Sequence, residues 1–140
     1  MKNSTITNVF ARRVLDSRGN PTIETELFLA NEISARAIAP SGASTGKKEA
    51  IEFRDNTNTY NGLDVSKAIK KINTKIKKKI VGTSCLDQES FDELLISIDG
   101  TINKSNLGGN SLIALSLANL KLSAKLKKTP LFKYLSQNNK

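Results

Sequence analysis

The sequence predicts an α+β fold, a three-stranded antiparallel β-meander followed by a helical bundle packed on one sheet face. Three observations lead there. Apolar residues up to Ala39 recur with a period of two, whereas beyond Val65 they recur at spacings of three and four. Turn residues (Gly19, Asn20, Pro21) and the brief Ala30-Asn31-Glu32 link leave no room for crossover connections between strands. No internal repeat or low-complexity linker divides the 140 residues. Residues 1–140 therefore read as one domain, ordered to about residue 135, with 136–140 as a polar tail.

Each element has its own signal. Residues 5–15 mix β-branched, aromatic and basic types and read as the first strand. Thr22 to Leu29 alternates, with Ile23, Thr25, Leu27 and Leu29 on one face and Glu24, Glu26 and Phe28 on the other. Ile33 to Ala39 alternates again. Val65, Ala68, Ile69, Ile72, Ile76 and Ile80 then mark the apolar stripe of a helix, with Asp64 as its N-cap and Gly82 as its stop. Asp87 opens the next helix, carrying Phe91, Leu94, Leu95 and Ile98 on one side and Gly100 past its end. Asn110 is the expected cap of a longer helix from Ser111 to about Leu126, apolar on most sides and hence buried. Thr129-Pro130 opens a last short helix through Leu135, with Pro130 at its first position.

Composition removes whole classes of function. There is no histidine, so Ser-His and Cys-His nucleophile pairs and His-containing zinc sites cannot form within the chain. The single cysteine, Cys85, excludes an internal disulfide and fits a reducing cytoplasm. No run approaches the ~20 apolar residues of a membrane span, so no membrane partner is expected. The net charge of +9 is concentrated, with seven lysines between Lys67 and Lys79. Such a strip reads either as a solvated helix face or as a surface for polyanions or a partner subunit. No aromatic residues interleave it, which argues against recognition of nucleic-acid bases.

The stretch carrying chemistry is Pro40-Ser41-Gly42-Ala43-Ser44-Thr45-Gly46-Lys47-Lys48. Gly42 and Gly46 permit close backbone approach, and Ser44 and Thr45 offer hard oxygen atoms to a metal ion or phosphate. A mobile connector has the same composition. A phosphate-binding loop of the form G-x-x-x-x-G-K-[ST] is excluded, because Ser41 stands at the first glycine and Lys48 at the hydroxyl. The spacing of Gly42 and Gly46 does not supply a dinucleotide loop either. The connector Gly100 to Gly109 lacks the acidic spacing of a calcium loop.

This stretch, followed by Lys48-Glu49-Ala50 and Glu52-Phe53-Arg54-Asp55, resembles the first mobile loop of the enolases. Ala11-Arg12, Leu15 to Thr22, Asp99-Gly100-Thr101, Asn103-Lys104-Ser105, Leu107-Gly108 and Ser116-Leu117-Ala118 match the family in the same order. The resemblance spans nearly the whole chain but covers only the family's N-terminal domain. It implies reversible dehydration of 2-phosphoglycerate to phosphoenolpyruvate, with Mg²⁺ as cofactor. It assigns Ser44 to the second Mg²⁺ through hydroxyl and carbonyl, and sets Ser41, Gly42, Ala43 and Thr45 around the substrate. Arg12 and Glu24 match strand positions at the family's dimer contact, so a homodimer or higher assembly is implied. Base, acid and most metal ligands lie on a C-terminal barrel in the family, which implies no catalytic residue in this chain and no activity for it alone. Two departures stand out: Gly109 and Ser111 replace the usual alanines around Asn110, and Asn61 to Val65 replaces a glycine-rich helix approach.

Overall fold

The computed structural model describes residues 2–30, 32–42, 46 and 48–138. The alternating runs form β1 (Ile6–Leu15), β2 (Pro21–Leu29) and β3 (Ser34–Ile38). They pair antiparallel in the order β1-β2-β3, the expected meander. Ile23, Thr25 and Leu27 of β2 are fully buried beneath the helices, as their alternation requires. On the opposite face Glu24 pairs in register with Arg12 on one side and Ile38 on the other.

The first helical stretch departs from a plain α-helix. It consists of α1 (Ser66–Lys71), a π segment (Ile72–Ile76) and α2 (Lys77–Ile80), which follow one another without a break. The sequence explains why. Ala68, Ile72, Ile76 and Ile80 are all fully buried, and they repeat every four residues. Four residues turn an α-helix by about 400°, so such a row drifts by about 40° at each step. The wider i→i+5 turn takes up this excess and keeps the row against the core. Within it sits Asn73, whose Oδ1 accepts the Ala11 N–H at 2.7 Å while its Nδ2 donates to the Ala11 carbonyl at 2.9 Å. The free edge of β1 is thereby covered by a side chain acting as a strand would.

Three helix starts differ from expectation. Val65, not Asp64, is the residue at the N-cap of α1, and the Lys67 N–H is satisfied by the Asp55 carboxylate at 3.1 and 3.2 Å. Asp64 instead binds Arg13 at 2.8 Å, the Val65 N–H at 2.8 Å and the Ser66 hydroxyl at 2.9 Å. Its ion pair with Arg13 of β1 takes it away from capping. α3 (Gln88–Asp99) begins as expected, with the Asp87 side chain accepting the Ser90 N–H and Gly100 closing it at φ 71°. α4 (Gly109–Leu126) is capped by Gly108, not Asn110. α5 (Leu131–Asn138) closes its first turn on the Pro130 carbonyl, one residue later than expected, and extends past Leu135 to Asn138.

α4 is the buried helix and lies across β2 and β3. Thr25 donates its hydroxyl to the Ala114 carbonyl at 2.8 Å, and Asn119 reaches the Cys85 carbonyl at 3.0 Å. Ser123 also donates to the Cys85 carbonyl. Cys85 itself is fully buried, and burial pushes its thiol above the usual range, which leaves it a packing residue.

Candidate functional site

The chain that leaves β3 passes Pro40, Ser41 and Gly42 and re-enters at Glu49 to Asp55, which crosses the start of α4. This second segment is fixed by backbone bonds: Ile51 N–H donates to Asn103 O at 2.8 Å, and Gly109 N–H to Ile51 O at 2.7 Å. Asn110, freed from capping, receives the Phe53 N–H at 3.0 Å and returns a bond to the Phe53 carbonyl at 3.2 Å. Sequence spacing identified Asn110 but not this use, because its partner lies 57 residues away.

The two glycines before Asn110 make the approach possible. A Cβ on Gly108 would lie 2.4 Å from the Phe53 Cβ and 2.8 Å from its nitrogen, and one on Gly109 would lie 2.9 Å from the Ala50 Cβ. Gly109 is the first residue of α4, so it does not interrupt a helix interior.

Between the segments lies a cleft of about 730 Å³, lined among others by Arg18, Ser41, Gly42, Glu52, Arg54 and Asn110. Arg54 is anchored at its wall by Glu52 at 3.0 Å and by the Pro21 and Leu63 carbonyls at 2.5 and 2.8 Å. Ser41 and Gly42 line this cleft. Ala43, Ser44 and Thr45 lie outside the described residues. One rim residue was missed. Arg18, read as part of a structural turn, donates from Nη2 to the Ser41 hydroxyl at 3.3 Å and to the Gly42 carbonyl at 3.2 Å. Its only sequence signal was the resemblance itself, since an arginine in a turn is otherwise unremarked.

Arg12 and Glu24 are placed together on the outer sheet face. Arg12 Nε lies 2.9 Å from Glu24, and its Nη2 pairs with Glu26. Two of the seven lysines are committed within the chain: Lys67 Nζ donates to Asp55 O at 3.1 Å and Lys71 Nζ to Asn106 O at 2.6 Å. Lys71 also lies over the Phe53 ring at 3.8 Å, and burial, followed by repulsion from Lys75, lowers its pKa. These two tie the helix to the cleft-forming segments.

Among the described residues no three His, Cys, Asp or Glu side chains converge to hold a metal ion. No helix among them is long and apolar enough to cross a membrane. The arrangement is that of a small α+β domain with a cleft lined by Ser41 and Gly42 beside Arg18 and Arg54. The model of the family described as Enolase, N-terminal domain, matches residues 6–135. The chain belongs to that family. It is 51% identical to the enolase of Ehrlichia canis (strain Jake) over 140 residues, covering 99% of this chain and 33% of the relative. Likeness to the enolases of Pelagibacter ubique (strain HTCC1062) and Malacoplasma penetrans (strain HF-2) is 51% and 47%, over 97% and 95% of this chain and 33% and 30% of theirs. The chain thus spans about a third of the length of the relatives it matches.

Proposed function

We propose that this domain serves an enolase that reversibly dehydrates 2-phosphoglycerate to phosphoenolpyruvate, and that its part is to supply the Pro40–Lys48 loop. The observation carrying this is the family match over residues 6–135, which includes that loop. Support comes from Ser41 and Gly42 standing at the rim of a cleft large enough for a small phosphorylated acid.

The described residues offer no acidic cage, so an all-protein Mg²⁺ site on them does not fit. The resemblance assigns one loop ligand instead. Ser44 would hold Mg²⁺ through its hydroxyl and carbonyl oxygens, with Gly42, Ala43 and Thr45 lining the substrate beside it. Mg²⁺ bound there supplies positive charge against the doubly ionised acid formed when the α-proton leaves. The chain's own residues orient the loop and exclude water as it covers the substrate. Proton removal falls to the remaining two-thirds of the full-length protein, so the chain alone should not turn over. On the same reading the enzyme is cytoplasmic and dimeric or larger, with Arg12 and Glu24 at the subunit contact.

Joining this domain to the rest of an enolase and changing Ser44 to Ala tests the reading. Turnover should fall about tenfold, a loss of about 1.4 kcal/mol in transition-state stabilisation. Ser41→Ala should cost less, through its bond to Arg18. A larger loss at Ser41 would show that the ligand had been misassigned.

A further inference from the structure

The turn between β1 and β2 is more ordered than a connection needs to be. Asp16 Oδ1 accepts the N–H groups of Arg18 and Asn20, each at 2.8 Å. The Asp16 N–H donates to the Asn20 carbonyl at 2.8 Å and the Gly19 N–H to the Asp16 carbonyl at 3.0 Å, with Gly19 at φ 77°. The Asp16 carboxyl is held below its usual range, chiefly by the Asn20 N–H. These bonds complete the turn with backbone groups and one carboxylate. None of them uses the Arg18 guanidinium.

That side chain leaves the turn and reaches across 23 and 24 residues to Ser41 and Gly42. Asp16 Oδ2 lies 3.8 Å from the same Nη2 and keeps its charge oriented from behind. One contact takes a side-chain oxygen and the other a backbone carbonyl, so both residues are located relative to the sheet. Ser41 is also hydrogen-bonded to the Asp16 carboxylate, so both charged side chains of the turn reach the start of the loop, and Arg18 is the one that also takes Gly42. Gly42 without such a hold would be free over the widest range of backbone angles available to any residue.

We propose that Arg18 is a positioning residue: its grip on Ser41 and Gly42 fixes where the loop departs from the sheet, and the metal requirement of the assembled enzyme depends on it. The second half rests on the Ser44 reading. The turn supplies the rigid mount, and a single guanidinium nitrogen, Nη2, supplies both bonds, at 3.3 and 3.2 Å.

Two measurements separate this from the reading it rests on. In the 140-residue chain, Arg18→Ala should move the backbone amide resonances of Ser41 and Gly42, whereas Arg36→Ala, on the outer sheet face, should not. Resonances of Ser41 and Gly42 that stay in place would overturn the grip. The second experiment uses the chain joined to the C-terminal two-thirds of the Ehrlichia canis enolase. With an active parent, Arg18→Ala should raise the Mg²⁺ concentration for half-maximal rate about threefold or more and lower kcat about tenfold, with KM for 2-phosphoglycerate little changed. Arg18→Lys should recover part of kcat, since one of the two bonds can be remade. An active parent whose kcat and Mg²⁺ dependence ignore Arg18→Ala would overturn the metal half. An inactive parent would overturn the Ser44 reading and that half together, while the resonances still decide the grip.

Discussion

The side-chain amide of Asn110 and the backbone of Phe53 form a closed two-bond clasp, with the Phe53 N–H donating at 3.0 Å and the Asn110 Nδ2 returning at 3.2 Å. Asn110 is buried at 4% exposure, so neither half of the clasp has water as a ready substitute. Asn110→Ala should cost about 1–3 kcal/mol, the usual range for a buried partner left unsatisfied. Urea unfolding measures the loss, and hydrogen exchange at the Phe53 amide should quicken with it. A change below about 0.5 kcal/mol would place the clasp among surface contacts.

Gly108 and Gly109 should respond unequally to alanine. Gly108 sits at φ 91° with the Phe53 nitrogen 2.8 Å from its would-be Cβ. Strain and clash act together there, and a loss of about 2–3 kcal/mol or more is expected. Gly109 has no positive φ, and its would-be Cβ lies 2.9 Å from the Ala50 methyl, with the Ile51 carbonyl oxygen next at 3.6 Å. Gly109→Ala therefore meets that crowding without backbone strain, and a smaller loss than at Gly108 is expected. Thermal unfolding of both variants should therefore show a gap of at least several degrees.

Ser111 is fully buried, and its hydroxyl has no hydrogen-bond partner among the described residues. Ser111→Ala removes an unsatisfied polar group and improves helix propensity, so the variant should be more stable by about 1 kcal/mol. An unchanged or lower denaturation midpoint would mean that the hydroxyl finds a partner in solution.

Acid should weaken the fold in a defined window. Burial works against the charged forms of Asp64 and Asp99, but hydrogen bonds overcome it and hold both pKa values below the usual carboxylate range. For Asp64 the donors are Arg13, Ser66 and the Val65 N–H; for Asp99 they are the Thr101 hydroxyl and the Leu107 and Thr101 N–H groups. Carboxylates with lowered folded pKa values stabilise above the unfolded pKa of about 3.9, and that contribution disappears as pH falls through the folded values. Stability should be level from about pH 5 upward and decline below about pH 4. Asp87, whose pKa is lowered first by the Ser90 N–H, offers a clean variant, because Asn caps a helix equally well. Asp87→Asn should keep neutral-pH stability and make the acid decline shallower; an identical decline would show that this cap does not contribute to it.

Periodicity carried the sequence reading a long way: all three strands, α3 with its Asp87 cap and Gly100 stop, and the burial of α4 follow from it. What escaped has a common cause. Asn73 on Ala11, Asn110 on Phe53 and Arg18 on Ser41 are side chains bonded across 62, 57 and 23 residues, and such pairs leave no periodic trace. Asn110 looked like a cap and Arg18 like part of a turn because local rules see only local partners. The π segment was hidden for another reason. A four-residue apolar repeat satisfies the α-helical template at each step, and only the drift summed over Ala68 to Ile80 reveals the mismatch.

A cylinder that is greasy nearly all the way round can roll. α4 buries Leu112, Ala114, Leu115, Ala118, Leu122 and Ala124, and many rotations about its axis would hide comparable apolar area against the sheet. Hydrophobic attraction is non-directional and does not choose among them. The choice falls to a line of small polar keys: Asn110 on Phe53, Thr25 on Ala114, Asn119 on Cys85 and Ser123 on Cys85. Each adds little energy by itself, but together they admit one angle of the shaft. Replacing Thr25 by Val, or Asn119 by Leu, would leave the core as oily as before while loosening the setting of the one helix on which the cleft wall is mounted.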